Sequence, residues 1–350
     1  MTKGKKHLFL VCSDFQYVIC KSIIRENALK TEDCFFVSRR GVKLEKEDLT
    51  YPFPYEGGFW YYMLHRREVN SFFAGKDISV YVPFRGSFFS KYVHKMNYFE
   101  EGLSIFRDSI KISKGISDGK NGKGFVRQVI SHLKSILKKI LIKEEALFFV
   151  DGFYSDREAE PLENSFLYGC SPYALKQWSH PLLEKRILNI GIEPPIKYDV
   201  KEGSYFVVLE RFSSSNFYDL ENYKICLRTI FSYLEKWGVE EIWTKFHPAD
   251  YKNEHAMEEF EKCREGFNLK VHFFDGRLEL LALQNINIHF IAENSTILYY
   301  APVLGSTNKS ISFVKLMYKL DERYKGLISQ YGGMERFVDF FSKNVECLEP

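Results

Sequence analysis

The seven cysteines of this chain form no CxxC pair, which removes the common thiolate zinc site and the thioredoxin-like redox motif. Cys12, Cys20, Cys34, Cys170, Cys226, Cys263 and Cys347 are odd in number and scattered, the usage of free thiols in a reducing compartment. No run of about 18 apolar residues is present, so no membrane-spanning helix is expected. The opening MTKGKKHLFLVCSDF sets basic residues ahead of an apolar run. That run stops at Ser13-Asp14, too short for a secretory signal and without a small-residue cleavage site. An excess of one charge is missing as well: 49 Lys and Arg against 46 Asp and Glu leave +3. With no recognisable module besides, a nucleic-acid partner is disfavoured. Asp-x-Asp, a common carrier of a catalytic cation, occurs nowhere; nor does an internal repeat or a low-complexity tract. The expectation is a soluble, cytoplasmic protein.

What is present is a globular composition, 45% hydrophobic and 27% charged, on 350 residues, more than one hydrophobic core usually serves. HLFLVC (7–12) is a continuous apolar run of the kind that forms a buried parallel strand. A polar turn follows, then helical spacing in YVICKSIIREN. CFFVSRRG (34–41) and ISVYVPF (78–84) read as further strands, and YVHKMNYFEEG leads into an extended segment that ends at Glu100-Glu101-Gly102. Strand and helix alternating in this way imply a doubly wound α/β domain, whose ligands bind at the carboxyl ends of the strands. IEPPIKYDVKEGS (192–204) is polar, extended and proline-containing, the best interdomain linker. After it the alternation restarts: YFVVLE (205–210), NYKICLRTIFSYLEKWG (222–238), EEIWTKFHP (240–248), LKVHFFDG (269–276), LELLALQ (278–284), INIHFIAENST (286–296) and STILYYAPVLG. The expected division is a first Rossmann-like domain over 1–195, a second over 196–330, and a late helix within 331–350 packing back on the first, with a cleft between the halves.

Four short motifs fall at strand ends or helix starts. Adjacent Glu100 and Glu101 point to opposite sides of an extended segment, so one enters a cleft while the other is solvated or paired; Gly102 permits a sharp turn. His247-Pro248 closes a strand, and an imidazole there can act as acid, base or charged donor near neutral pH. Glu279 lies in the first turn of a short helix, where the dipole favours a carboxylate and a ribose diol would find an acceptor. Ser295 and Thr296 open a helix whose exposed amides make an anion site. Each also has a plain structural reading, as a solvated turn, a loop-bonded histidine or an ordinary cap.

In order, Glu-Glu-Gly, His-Pro, an acidic helix start and Ser-Thr resemble the bacterial sialyltransferases, whose motifs are [Asp/Glu]-[Asp/Glu]-Gly, His-Pro and a Ser-Ser or Ser-Thr pair. The resemblance covers most of the chain and implies a GT-B type fold, two Rossmann-like domains facing across a cleft. It assigns Glu100 as general base with Glu101 second, Gly102 as the turn, and His247 as the group that binds and protonates the leaving phosphate. Pro248 shapes that turn, Ser295 and Thr296 hold the phosphate, and Glu279 binds the ribose. Glu-Glu where Asp often stands shifts the base by about a methylene. The donor implied is CMP-Neu5Ac, with no metal required, since CMP carries one phosphate. The acceptor implied is a glycan, a terminal galactose of lipopolysaccharide, lipooligosaccharide or capsule. Transferases of CMP-Kdo share overlapping motifs, so that donor or another nucleotide sugar is the alternative; a non-catalytic glycan- or nucleotide-binding module is the alternative of another class. FVRQVISHLKSILKKILIKEE (125–145) has apolar residues at helical spacing with lysines between them. It reads as a core-facing helix with a basic side or, over 125–143, as a peripheral contact with anionic membrane.

Overall fold

The computed structural model describes residues 4–38, 42, 44–53, 64–74, 76–83, 87–89, 93–100, 148–150, 165–170, 183–194, 196–212, 218–247, 249–251, 253–330, 333–335, 338 and 345–349. The chain divides into two compact units, Met1–Ile192 and Glu193–Pro350. The helical stretch expected over 125–145 and most of the late helix over 332–344 lie outside the described residues.

The first unit contains, in chain order, β1 (Gly4–Val11), α1 (Asp14–Glu26), β2 (Cys34–Ser38), β3 (Leu49–Thr50), α2 (Arg66–Phe73), β4 (Lys76–Pro83), β5 (Ser87–Phe89), β6 (Val93–Phe99), β7 (Phe148–Val150), β8 (Ser165–Gly169) and β9 (Leu183–Ile187). Seven strands form one parallel sheet in the order β3-β2-β1-β4-β6-β8-β9, while β5 and β7 pair separately and antiparallel. The apolar run of β1 sits at the centre because Leu8, Phe9, Leu10 and Val11 are buried, as a strand covered on both faces requires. Ser13 caps α1 by accepting from the Gln16 amide at 3.3 Å, and the Gln16 side chain accepts from the Cys12 amide at 2.7 Å, which fixes the turn from β1 into the helix. The abundant aromatics are core here: the Phe9 ring stacks on Tyr81 at 4.3 Å and on Phe36 at 5.5 Å.

The second unit runs β10 (Tyr205–Val208), α3 (Leu220–Lys236), β11 (Glu241–Lys245), α4 (Glu254–Arg264), β12 (Lys270–Phe273), α5 (Leu278–Leu283), β13 (His289–Ala292), α6 (Thr296–Leu304), β14 (Lys309–Ser312), α7 (Val314–Leu320), α8 (Glu322–Gln330) and β15 (Val345–Cys347). All six strands are parallel, in the order β12-β11-β10-β13-β14-β15. Counted from β10 this is 3-2-1-4-5-6, the Rossmann order, and the first unit follows the same order from β1 through β8. The chain is therefore α/β with two Rossmann-like domains, the pair of domains that makes up a GT-B fold. Its last strand, β15, adds to the sheet beside β14.

The segment that begins the second unit is bound rather than free. The Tyr198 amide donates to Gln284 Oε1, Gln284 Nε2 donates to the Tyr198 carbonyl at 3.0 Å, and the Arg277 amide donates to the Tyr198 hydroxyl at 2.9 Å. Gly276 is required beneath that ring, since a Cβ there would lie 2.4 Å from Phe274 and 2.5 Å from Tyr198. Gly305 serves the same purpose at the end of α6, where a Cβ would come within 2.5 Å of the Ala282 carbonyl oxygen.

Candidate active site

Parallel strands deliver their carboxyl ends to one edge of the sheet. In the second unit the winding direction reverses between β10 and β13, and a crevice opens outside the strand ends at such a point. Three turns meet there. β10 exits into Leu209-Glu210-Arg211, β11 into Phe246-His247, and β13 into Glu293-Asn294-Ser295 and the start of α6. Because β10 lies between β11 and β13, Glu210 is flanked by the histidine turn on one side and the Glu293 turn on the other.

His247 is half-buried, and its Nδ1 accepts from the Ala249 amide at 3.1 Å. That bond leaves the proton of the neutral ring on Nε2. Burial lowers its pKa below the ordinary histidine value; the Asp250 carboxylate works against this and the Arg211 cation with it. Asp250 is fully buried and accepts from the Phe212 amide, tying the histidine turn to the turn after β10.

Ser295 and Thr296 stand where the motif reading puts them. Ser295 is the N-cap residue of α6, yet its side chain caps no helix amide. The Leu298 amide donates to the Ser295 carbonyl at 3.1 Å, and the amides ahead of it at the amino end of α6 have no cap from the Ser295 side chain, the kind of helix start where anions bind. Glu279 lies in the first turn of α5, next after β12 in the chain. Pro248 lies outside the described residues. Among the described residues no group of three or more His, Cys, Asp or Glu side chains is arranged to hold a metal ion, and no helix is long and apolar enough to cross a membrane.

Glu100 belongs to the first unit, directly after β6, and is fully buried. Its amide donates to the Tyr168 carbonyl at 3.1 Å and its Oε1 accepts from the Cys170 amide. The side chain thus spans the ends of β6 and β8 on the carboxyl edge of the first sheet, with one oxygen anchored to backbone. Its negative charge adds to burial in pushing the Cys170 thiol up. Glu101 and Gly102 lie outside the described residues.

The motif reading missed two carboxyls. Glu293 is 4% exposed, and its Oε1 has no hydrogen-bond partner among the described residues. Burial first, then the charge of Glu210, raise its pKa well above the carboxylate range; burial lifts Glu210 to about 7. A signal for both was present, since the apolar runs YFVVLE and IHFIAE each end on a glutamate at the strand's carboxyl edge. Only the strand order shows that the two ends are neighbours.

No family model matches the chain, and no curated protein does. Among solved structures the chain is similar to the UDP-GlcNAc 2-epimerase of Methanocaldococcus jannaschii in complex with UDP-GlcNAc and UDP, at 12% identity and a TM-score of 0.44, over 98% of this chain and 88% of that one. It is also similar to S. aureus MnaA solved with UDP, at 9% identity and a TM-score of 0.42, over 98% of this chain and 92% of that one.

Proposed function

We propose that the protein is an inverting, metal-independent glycosyltransferase that moves sialic acid from CMP-Neu5Ac to a hydroxyl of a glycan acceptor, a terminal galactose of a bacterial surface glycan. The observation that carries this reading is the gathering of His247, Ser295 and Thr296 on strand ends either side of β10, at the reversal of a Rossmann-ordered sheet. Those three residues are the second and third motifs of the sialyltransferase pattern, and the first, Glu100, ends a strand of the other Rossmann-like unit.

In this reading the second unit holds the donor. The α6 amides with Ser295 and Thr296 take the phosphate, Glu279 takes the ribose, and His247 donates from Nε2 to the oxygen that leaves. Departure of CMP gives oxocarbenium character to an anomeric carbon that bears a carboxylate. Glu100 removes the proton of the attacking hydroxyl, with Glu101 as the second choice, and attack from the opposite face inverts the centre. The anchored Oε1 of Glu100 fixes its rotamer, as a base needs. General base assistance of this kind is worth about 10²–10⁴-fold.

The test is CMP release and product mass with CMP-Neu5Ac, lactose and EDTA, for wild type, Glu100→Ala and Glu101→Ala. Turnover in EDTA that falls by about 10²–10⁴-fold in Glu100→Ala supports the reading. Turnover with CMP-Kdo alone moves the donor to that sugar. Competition by UDP or GDP but not CMP refutes the nucleotide assignment, and wild-type turnover in Glu100→Ala refutes the base.

A further inference from the structure

Toward the amino end of β6, away from Glu100, donors outnumber acceptors. Lys95 is half-buried, and its Nζ stands over the Phe166 ring, 3.7 Å from the centroid. Arg186 Cζ stands 3.5 Å from the centroid of the same ring. The strand order β6-β8-β9 puts Phe166 between the two, so the ring is held in a cation–aromatic–cation sandwich. Contact with the ring shields the ammonium from water without giving it a hydrogen-bond acceptor.

The cations of this edge differ in what answers them. Arg186 donates from Nε to Glu184 Oε1 at 3.1 Å and from Nη1 to Asn27 Oδ1 at 3.4 Å. Lys5 lies opposite Asp77 in the register of β1 and β4. Lys95 has no hydrogen-bond or ion-pair partner among the described residues. Burial first, then the charges of Lys5 and Arg186, hold its ammonium below the usual lysine range, and the Glu184 carboxylate works against them. Two residues on, along the same face of β6, Asn97 is fully buried. Its Oδ1 accepts from the Phe166 amide at 3.2 Å, while its Nδ2 has no partner among the described residues. An unanswered ammonium and an unanswered amide donor thus adjoin one residue. Buried donors are rarely left so, and a half-buried charge among like charges is costly without a counter-ion.

We propose that the amino edge of the first sheet binds a small oxyanion, a phosphate or a carboxylate, held by Lys95 beside the Phe166 ring with Arg186 and Lys5 adding positive charge. The oxygens of such an anion supply the acceptors that Lys95 lacks, and its charge offsets the repulsion among the three cations. Five residues along β6 separate Lys95 from Glu100, roughly 16 Å of extended chain. The site is therefore distinct from the carboxyl edge and does not depend on the donor reading.

Amide hydrogen exchange of the full chain tests this, with inorganic phosphate, acetate or chloride titrated at constant ionic strength. Peptides covering 93–99 and 165–169 read the site, because an anion bound to the fold slows their exchange. Peptides covering 205–208 and 289–292 read the second unit, where phosphate on the α6 amides would act instead. The expected result is saturable slowing in the first pair with phosphate or acetate and no slowing with chloride; the stronger of the two shows which oxyanion the site prefers. Lys95→Met should weaken the response by about tenfold or more, the loss of one charge-assisted bond, and Lys95→Arg should largely keep it. Glu184→Gln removes a carboxylate whose charge reaches Lys95, and should tighten phosphate binding even if Lys95→Met fails to fold. Equal slowing by chloride is screening and overturns the inference. Slowing that persists in Lys95→Met, or that is confined to the second unit, puts the anion elsewhere and overturns it as well. So does weaker phosphate binding in Glu184→Gln, or no response to any anion.

Discussion

Removing the Glu210 charge should make the second unit less sensitive to alkali. A carboxyl whose pKa climbs from 4.5 in the unfolded chain to about 7 in the fold binds its proton more tightly when folded. The fold bears no penalty below about pH 4.5, a growing one between pH 4.5 and 7, and the full amount above. At 1.36 kcal/mol per pH unit that amount is about 3 kcal/mol, lost as pH rises through the window. Glu210→Gln abolishes the titration, so its stability relative to wild type should increase by about 3 kcal/mol from pH 5 to pH 8. Burial first, and then the Glu210 charge, raise Glu293 as well, so the comparison is made on Glu210→Gln. His247 contributes with the opposite sign: its folded pKa is lowered, so the stability it costs at low pH is recovered as pH rises through its window. Comparing variant with wild type at each pH cancels that contribution. Amide hydrogen exchange in peptides covering β10 and β13, corrected for intrinsic rates, reads this unit alone. Wild-type protection that stays flat from pH 5 to 8, or a decline equal in wild type and Glu210→Gln, would refute the reasoning.

Three further outcomes follow from packing and charge. Gly305→Ala should destabilise the protein by about 1–3 kcal/mol in urea unfolding, because its Cβ would approach the Ala282 carbonyl and Asn308 Nδ2 to 2.5 Å each; a gain in stability, the usual effect of replacing glycine where there is room, would contradict the geometry. Tyr198→Phe leaves the Arg277 amide without its acceptor and should cost about 1–2 kcal/mol, seen as faster amide exchange in 277–284. If the basic stretch 125–143 meets membrane, the chain co-sediments with vesicles containing anionic lipid and is released by salt, with Lys138→Glu and Lys139→Glu together weakening it. No sedimentation with anionic vesicles removes the peripheral role.

Much of the fold was legible because strands buried on both faces announce themselves as unbroken apolar runs. HLFLVC became β1, YFVVLE became β10, and the 3.6-residue spacing of 222–238 became α3. The elements that escaped carry weaker patterns. α4 places only Ala256, Glu259, Phe260 and Cys263 inward along a heavily charged run, so its apolar stripe is too thin to read. β9 is an edge strand of sequence LEKRI, and β15 has three residues; each owes its conformation to the neighbour it pairs with. The site divides the same way. His247, Ser295 and Thr296 were visible because local motifs mark strand ends and helix starts. Glu210 and Glu293 were not, because 83 positions separate them and only the 3-2-1-4-5-6 order makes them neighbours.

That order also changes which group holds the proton. In water a histidine binds a proton more tightly than a glutamate by about two pH units. Here burial acts on both and in opposite directions, lowering His247 and raising Glu210 to about 7. The imidazole is then the neutral partner, donating from Nε2 because the Ala249 amide occupies Nδ1. On the proposed reaction the charge that grows on the leaving phosphate meets a fixed N–H from His247 and the α6 amides. His247→Asn should then lower kcat/KM at every pH without removing an alkaline limb. An alkaline limb present in wild type and lost in His247→Asn would show that the histidine acts as a charged acid instead.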